Sequence, residues 1–239
     1  MAMWRWRTRL LYVLAVLVPI SVLLAALLPV VHRARRAERQ YQHTNNLKQV
    51  GLALRNFHDT YERLPPAVRT DDAGRPLASW RFQILPFLES IMLDVDFDGR
   101  WYDLANRWLC SQPAYVYCWS PDEAFPTCLH TNLVAVVGLG TAFDSNRNTS
   151  LDEIDADTIL VIEIAESNTH WMEPGDLHID AVPPSITRGF EGNGVNVLFA
   201  DGSVWFLGPD VPFDDLKKFF TIDGAKRYDR EQVLRQFAR

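Results

Sequence analysis

"LLPVVHRARRAERQ", Leu27 to Gln40, carries unbroken apolar sequence into five basic residues with no turn signal between them. Either it marks the edge of a membrane anchor, or it is the middle of one helix that leaves the bilayer and becomes part of a folded body. Upstream, Leu10 to Val31 contains no charged residue. About 20 apolar residues rising about 1.5 Å each cross a hydrocarbon core of about 30 Å. This predicts a transmembrane helix at 10–31, in contact with the lipid bilayer, behind a basic segment at 1–9. Arg5, Arg7 and Arg9 also resemble the leader of a secretory signal, with Ala25-Ala26 as a possible cut. The apolar run exceeds a leader core of about 7–15 residues, which favours a permanent anchor. Pro19 and Pro29 should kink the segment at a cost that membrane helices absorb.

Downstream, Leu47, Val50, Leu54, Phe57 and Tyr61 recur at spacings of three and four, one face of a helix, while Lys48, Arg55 and Asp59 point elsewhere. Pro65-Pro66 ends the pattern. We expect an amphipathic helix at 32–62 that continues the span into a body at 63–239. The alternative is a break at Thr44-Asn45-Asn46, where Thr or Asn caps a separate helix.

Short apolar runs then recur between turn signals: "SWRFQILPFL" at 79–88, "NLVAVVGLGTAF" at 132–143, "DTILVIEIA" at 157–165 and "GVNVLFADGSVWFLG" at 194–208. All four read as strands. In the last, Val195, Val197 and Phe199 alternate with Asn196 and Leu198, and Asp201-Gly202 reads as a two-residue hairpin turn. The fold class is α+β: a long N-terminal helix, half transmembrane and half amphipathic, packed on an antiparallel β-sheet with long loops.

Composition bounds the function. The chain has 239 residues, 48% hydrophobic and 23% charged, with a net charge of −6, which suits one domain plus an accessory segment. Residues 1–39 carry seven Arg against the single acid Glu38, so the remainder is acidic and unsuited to nucleic acid. Three Arg precede the span and four follow it closely, leaving the positive-inside count near a tie. Cys110, Cys118 and Cys128 leave three readings open: a disulfide with one spare thiol, buried free thiols, or zinc with His130 at an unfamiliar spacing.

Two acidic loops are weak calcium candidates. "DVDFDG" presents Asp94, Asp96 and Asp98 before a Gly, but its twelfth position is Ala105, although Asp103 lies close. "DSNRNTSLDEID" spaces Asp144, Asn146, Asn148, Asp152 and Asp155 at loop positions one, three, five, nine and twelve, with Thr149 in place of the turning Gly. For each, a solvated acidic loop is the blander reading. No catalytic residue is assigned. The six His form no metalloprotease pair, and Ser203 sits in a hairpin. His58-Asp59 are neighbours on a helix and are not expected to face each other. Glu163, Glu166, Glu173 and Asp176 have no separation readable from sequence. The eight Trp, Trp119 among them, read as core and rim aromatics.

"LLPVVHRARRAERQYQHTNNLKQVGLALRNFHDTYERLPPA", "SWRFQILPFLE", "DTILVIE", "WMEPGDL" and "GVNVLFADGSVWFL" stand in the order seen in a large family of pilin-like proteins. That family is carried as a domain of unknown function and is abundant in planctomycetes. The resemblance implies a type IV prepilin or type II secretion pseudopilin-like architecture. It places the N-terminus inside and the body outside the cytoplasm, anchored in the cytoplasmic membrane. Family members begin with a leader and a Gly-Phe-Thr-Leu-Ile-Glu junction; here the apolar stretch has neither the Gly-Phe junction nor an acid, so an uncut anchor is expected. The family also tends to carry a His ten positions before the hairpin Asp-Gly, where this chain has Glu191. The first expectation is a non-enzymatic protein of envelope assembly or surface contact, with envelope proteins or further copies of itself as partners. The alternative is a tethered module for a small solute or glycan using aromatic loops between about 95 and 130. A third is an envelope hydrolase.

Overall fold

The computed structural model describes residues 2–88, 95–118, 129–165, 167–189 and 192–239; the side chains of 2–16, 18, 20, 22–24 and 36 lie outside that description. Asp94, Trp119, Cys128, Glu166, Glu191 and most side chains of Leu10 to Val31 therefore fall outside the described residues. Among the described residues no helix is long and apolar enough to cross a membrane.

The chain forms two compact units, Met1–Gln42 and His43–Arg239. Helix α1, Ala2–Tyr61, contains Pro19 and Pro29 and continues through Thr44-Asn45-Asn46, where a break was the alternative. Asn46 does not cap a new helix there; its amide donates to the Tyr115 carbonyl at 2.9 Å. In the second unit Leu47, Val50, Leu54 and Phe57 are buried at the predicted spacing, and His43, outside the predicted stripe, is buried too, whereas Tyr61 is 53% exposed. Tyr61 instead lays its ring 4.5 Å from Phe57. The helix closes on Glu62, in the left-handed region at φ 58°, whose N–H donates to the His58 carbonyl at 2.7 Å.

A hairpin of β1 (Val68–Thr70) and β2 (Pro76–Ser79) follows. The expected strand at 79–88 ends at Ser79: Trp80–Gln83 is helix α2 and Leu85–Phe87 a 3-10 turn. Ser79 Oγ accepts from Phe82 N–H and so caps α2, and Pro86 suits the start of the 3-10 turn. The local capping chemistry overrides the β-rich composition.

The main sheet has strand order β5-β3-β4-β6-β7, from β3 (Leu133–Val137), β4 (Ile159–Glu163), β5 (Leu177–His178), β6 (Val195–Phe199) and β7 (Val204–Leu207). Pairing is antiparallel except at the edge, where the short β5 runs parallel to β3. The β6–β7 turn is one residue longer than expected. Phe199 N–H bonds to Ser203 O, leaving Ala200, Asp201 and Gly202 as the loop, with Gly202 at φ 84°.

All five residues of β6 are buried, not alternate ones, because both faces of the sheet are covered. Leu47, Val50 and Leu54 of α1 join Leu133, Leu160 and Leu198 in one core. Val195, Val197 and Phe199 join Leu216, Phe219 and Leu234 in a second core. This second cover comes from α3 (Phe213–Lys217), α4 (Ile222–Ala225) and α5 (Arg230–Val233). Arg230 secures it, paired with Asp157 at 3.0 Å and with Asp201 of the hairpin loop. Burial alone would raise the Asp201 carboxyl, but Arg230 and Ser203 outweigh it and hold the group below the ordinary range.

Candidate functional site

Stretches quoted from the sequence above meet in two buried polar nodes. The first joins "SWRFQILPFLE" to "WMEPGDL". Arg81 is 0% exposed and Asp176 2%, with Nη1 to Oδ1 at 2.8 Å. The guanidinium uses all five donors: Nε on Trp171 O, Nη1 on Leu133 O and Asp176, Nη2 on Glu173 O and Gly175 O. Asp176 Oδ1 also accepts from Trp80 Nε1 and Ala135 N–H. A fully buried charge persists only when it is paired and hydrogen-bonded in this way. Next to it, His170 lies stacked between Trp101 and Trp171. Its Nδ1 accepts from Met172 N–H, so the neutral ring donates from Nε2 to the Cys110 carbonyl at 3.0 Å. Burial depresses its pKa below the usual histidine value.

The second node joins α1 to "DTILVIE" and "GVNVLFADG". His43 Nδ1 faces Glu163 Oε1, and Asn196 Nδ2 donates to Oε2 at 2.5 Å. Both oxygens of this buried carboxylate thus have partners, which is why Asn196 occupies an interior strand position. His43 and Glu163 also line a void of about 10 Å³, on the scale of one water.

The expected loop candidates are used locally. Asp96 Oδ1 accepts from Asp98 and Gly99 N–H, and Asn106 clamps the same loop by bonding Asp96 N–H and the carbonyls of Asp96 and Arg100. Asp98 pairs with Arg69 at 2.7 Å. Asp144 accepts from Gly140 N–H and Asn146 N–H, and these amides hold its carboxyl below the ordinary range. Asp152 stands 3.9 Å from His58, Asp155 accepts from Asp157 N–H, and Asn148 lines the cleft described below. Among the described residues no three His, Cys, Asp or Glu side chains converge as metal ligands. Cys110 is a free thiol whose pKa burial raises.

His58 and Asp59 do approach, Nδ1 to Oδ1 at 3.5 Å, contrary to the expectation for adjacent helical residues; His58 Nε2 meets Ser150 Oγ at 2.9 Å. Ser150 is already the cap of a 3-10 turn, accepting from Asp152 N–H, and the group ties that turn to α1.

The space for a ligand lies elsewhere. A cleft of about 700 Å³ opens between the 63–70 segment, Gln83 of α2, the end of β3, the 143–148 loop and His178 of β5. That is the size of a small-molecule site. Pro66, Ala67, Val137 and Phe143 supply apolar wall; Arg63, Arg69, Gln83 and Asn148 supply polar groups. Neither Ser150 nor His58 lines it. Gly138, at φ 128°, gives β3 its exit beside His178, and a Cβ there would meet Ile179 at 2.9 Å. In the described part of 95–130, the aromatic rings divide: Tyr117 is fully buried against Trp171 and Trp101 covers His170, whereas Tyr102, Trp108 and Tyr115 are exposed. Apart from Asn148, which the sequence offers only as a calcium candidate, the cleft residues are not singled out by sequence because no spacing rule unites positions from five segments.

A search of curated proteins and one of solved structures returned no match. The model of one family, described as protein of unknown function (DUF1559), matches residues 32–159, from α1 to the start of β4. With more than half of its length so matched, this chain belongs to the DUF1559 family of proteins of unknown function.

Proposed function

We propose that the chain is a single-pass, membrane-anchored protein with a pilin-like body outside the cytoplasm, acting without catalysis in envelope assembly or surface interaction. One observation carries this reading: the apolar run Leu10 to Val31 leads, in sequence, straight into the half of α1 that fills the body's core with Leu47, Val50, Leu54 and Phe57. A body built on the continuation of its own anchor is the pilin-like arrangement. The bilayer is the first partner, and envelope proteins or further copies of the chain are the others.

The test is the intact mass and N-terminus of membrane-extracted protein, combined with protease treatment of spheroplasts. An uncut N-terminus and a body digested from outside are expected. Digestion only from the cytoplasmic side overturns the reading.

A second reading, a tethered module that binds a small solute, is favoured by the cleft beside Arg63, whose volume exceeds what packing defects leave.

A further inference from the structure

We propose that the cleft beside Arg63 takes a small organic anion, a carboxylate- or phosphate-bearing molecule with an apolar body; this rests on the second reading above. Among the described residues the charged side chains that line the cleft are of one sign: Arg63 and Arg69 line it beside His178, and no Asp or Glu does. Asp98 and Asp180, which approach Arg69 and His178, are 97% and 87% exposed. The one-signed lining stands in a chain with 30 acidic residues against 24 Lys and Arg. A cavity lined by one sign of charge within an oppositely charged body selects for the counter-ion.

Arg63 is half-buried, yet among the described residues its side chain makes no hydrogen bond or ion pair. A guanidinium presents five donors in a planar fork that fits carboxylate and phosphate oxygens two at a time. Arg69 is paired, but with Asp98, whose carboxylate is 97% exposed. Such a pair is weak and exchangeable. Arg69 is therefore available as a second donor. Pro66, Ala67, Val137 and Phe143 offer apolar surface to the rest of the ligand, and Asn148 offers a polar contact.

The walls come from well-held segments. Asp144 ties Gly140 to Asn146, and Gln83 Nε2 donates to the Pro66 carbonyl at 3.0 Å. A site built on such supports needs little ordering on binding.

Calorimetry on the full chain in non-ionic detergent tests this, with isophthalate and phenyl phosphate as probes and isophthalamide and phenol as their neutral counterparts. At least one anion binds, and its neutral counterpart binds at least tenfold more weakly; which anion binds tells carboxylate from phosphate. Arg63→Gln weakens the bound anion at least tenfold without moving the unfolding temperature, and Arg227→Gln, outside the cleft, leaves affinity unchanged. If a neutral probe binds as tightly as its anion and Ser145→Trp blocks it, the cleft is a solute site but the anion proposal is overturned. Full affinity for the anion in Arg63→Gln overturns it too. If no probe binds, the solute-binding reading falls as well.

Discussion

Arg81 and Arg63 lie 18 residues apart in sequence and in opposite physical situations. Arg81 is sealed in the core with four carbonyls and the Asp176 carboxylate on its five donors. Arg63 lines open space with no side-chain partner among the described residues. The first holds α2 to the 171–176 segment and to β3; removing it would take the counter-charge from a buried carboxylate and one donor from each of four carbonyls. The second contributes little to folding, so its positive charge is available to something outside the chain. A charge whose donors are all used internally is structural, and one left unused at a cavity of ligand size is the observation on which the anion proposal rests.

The largest effect should come from breaking the sealed pair. Arg81→Met, which keeps side-chain length but strands Asp176, should cost about 3–5 kcal/mol. Arg81→Lys should recover only part, since three donors replace five. Urea denaturation measures both, and a loss no greater than that of Arg63→Gln would erase the contrast between the two arginines.

Glu163→Gln tests the other node. The amide would set a donor against His43 Nδ1 or against Asn196, so a loss of about 1–3 kcal/mol is expected in the same titration.

Acid should weaken the Arg81 end of the body through His170. Its pKa is lowered in the folded state, because burial opposes the cation, so the unfolded chain binds the proton more readily. The stabilising contribution is complete above the unfolded value of about 6.5 and is lost as the pH falls below it. Protonating Nδ1 would also oppose Met172 N–H. His170→Phe, which retains a ring between Trp101 and Trp171, should flatten the stability–pH curve in that window relative to the wild type. Equal slopes in the two proteins would contradict the neutral assignment.

The smallest change in stability belongs to Arg63→Gln, within about 0.5 kcal/mol, as for a surface substitution that touches no internal network. Thermal unfolding checks it. A larger loss would show that Arg63 is structural after all, and would bring the two regions closer together.

Periodicity made the second half of α1 legible from Leu47 to Phe57, because a stripe repeating every three to four residues has one geometric meaning. It failed at Tyr61, at the stripe's end, where the helix closes at Glu62. The hairpin at 195–207 was visible in its β-rich runs and Asp-Gly, but its loop length was not. That length depends on the register that the whole sheet imposes. The stretch 79–88 was misread because Ser79 as a cap and Arg81 as a buried cation outweigh its strand-like composition. The C-terminal cover of the sheet was not anticipated, since α3, α4 and α5 are too short for periodicity to register.

The sequence alone determined what nearest neighbours along the chain decide: the apolar run, the amphipathic face, the hairpin, the acidic balance of the body and the stretches that relate it to a family. Tertiary structure decided which polar residues meet. His43 and Asn196 both reach Glu163, Arg81 reaches Asp176, and Arg63 lines open space that Val137 and His178 also line. These partners lie tens to more than a hundred residues apart in the chain. Local pattern carries no information about such distances; only the closing of the sheet between its two covers brings the groups together.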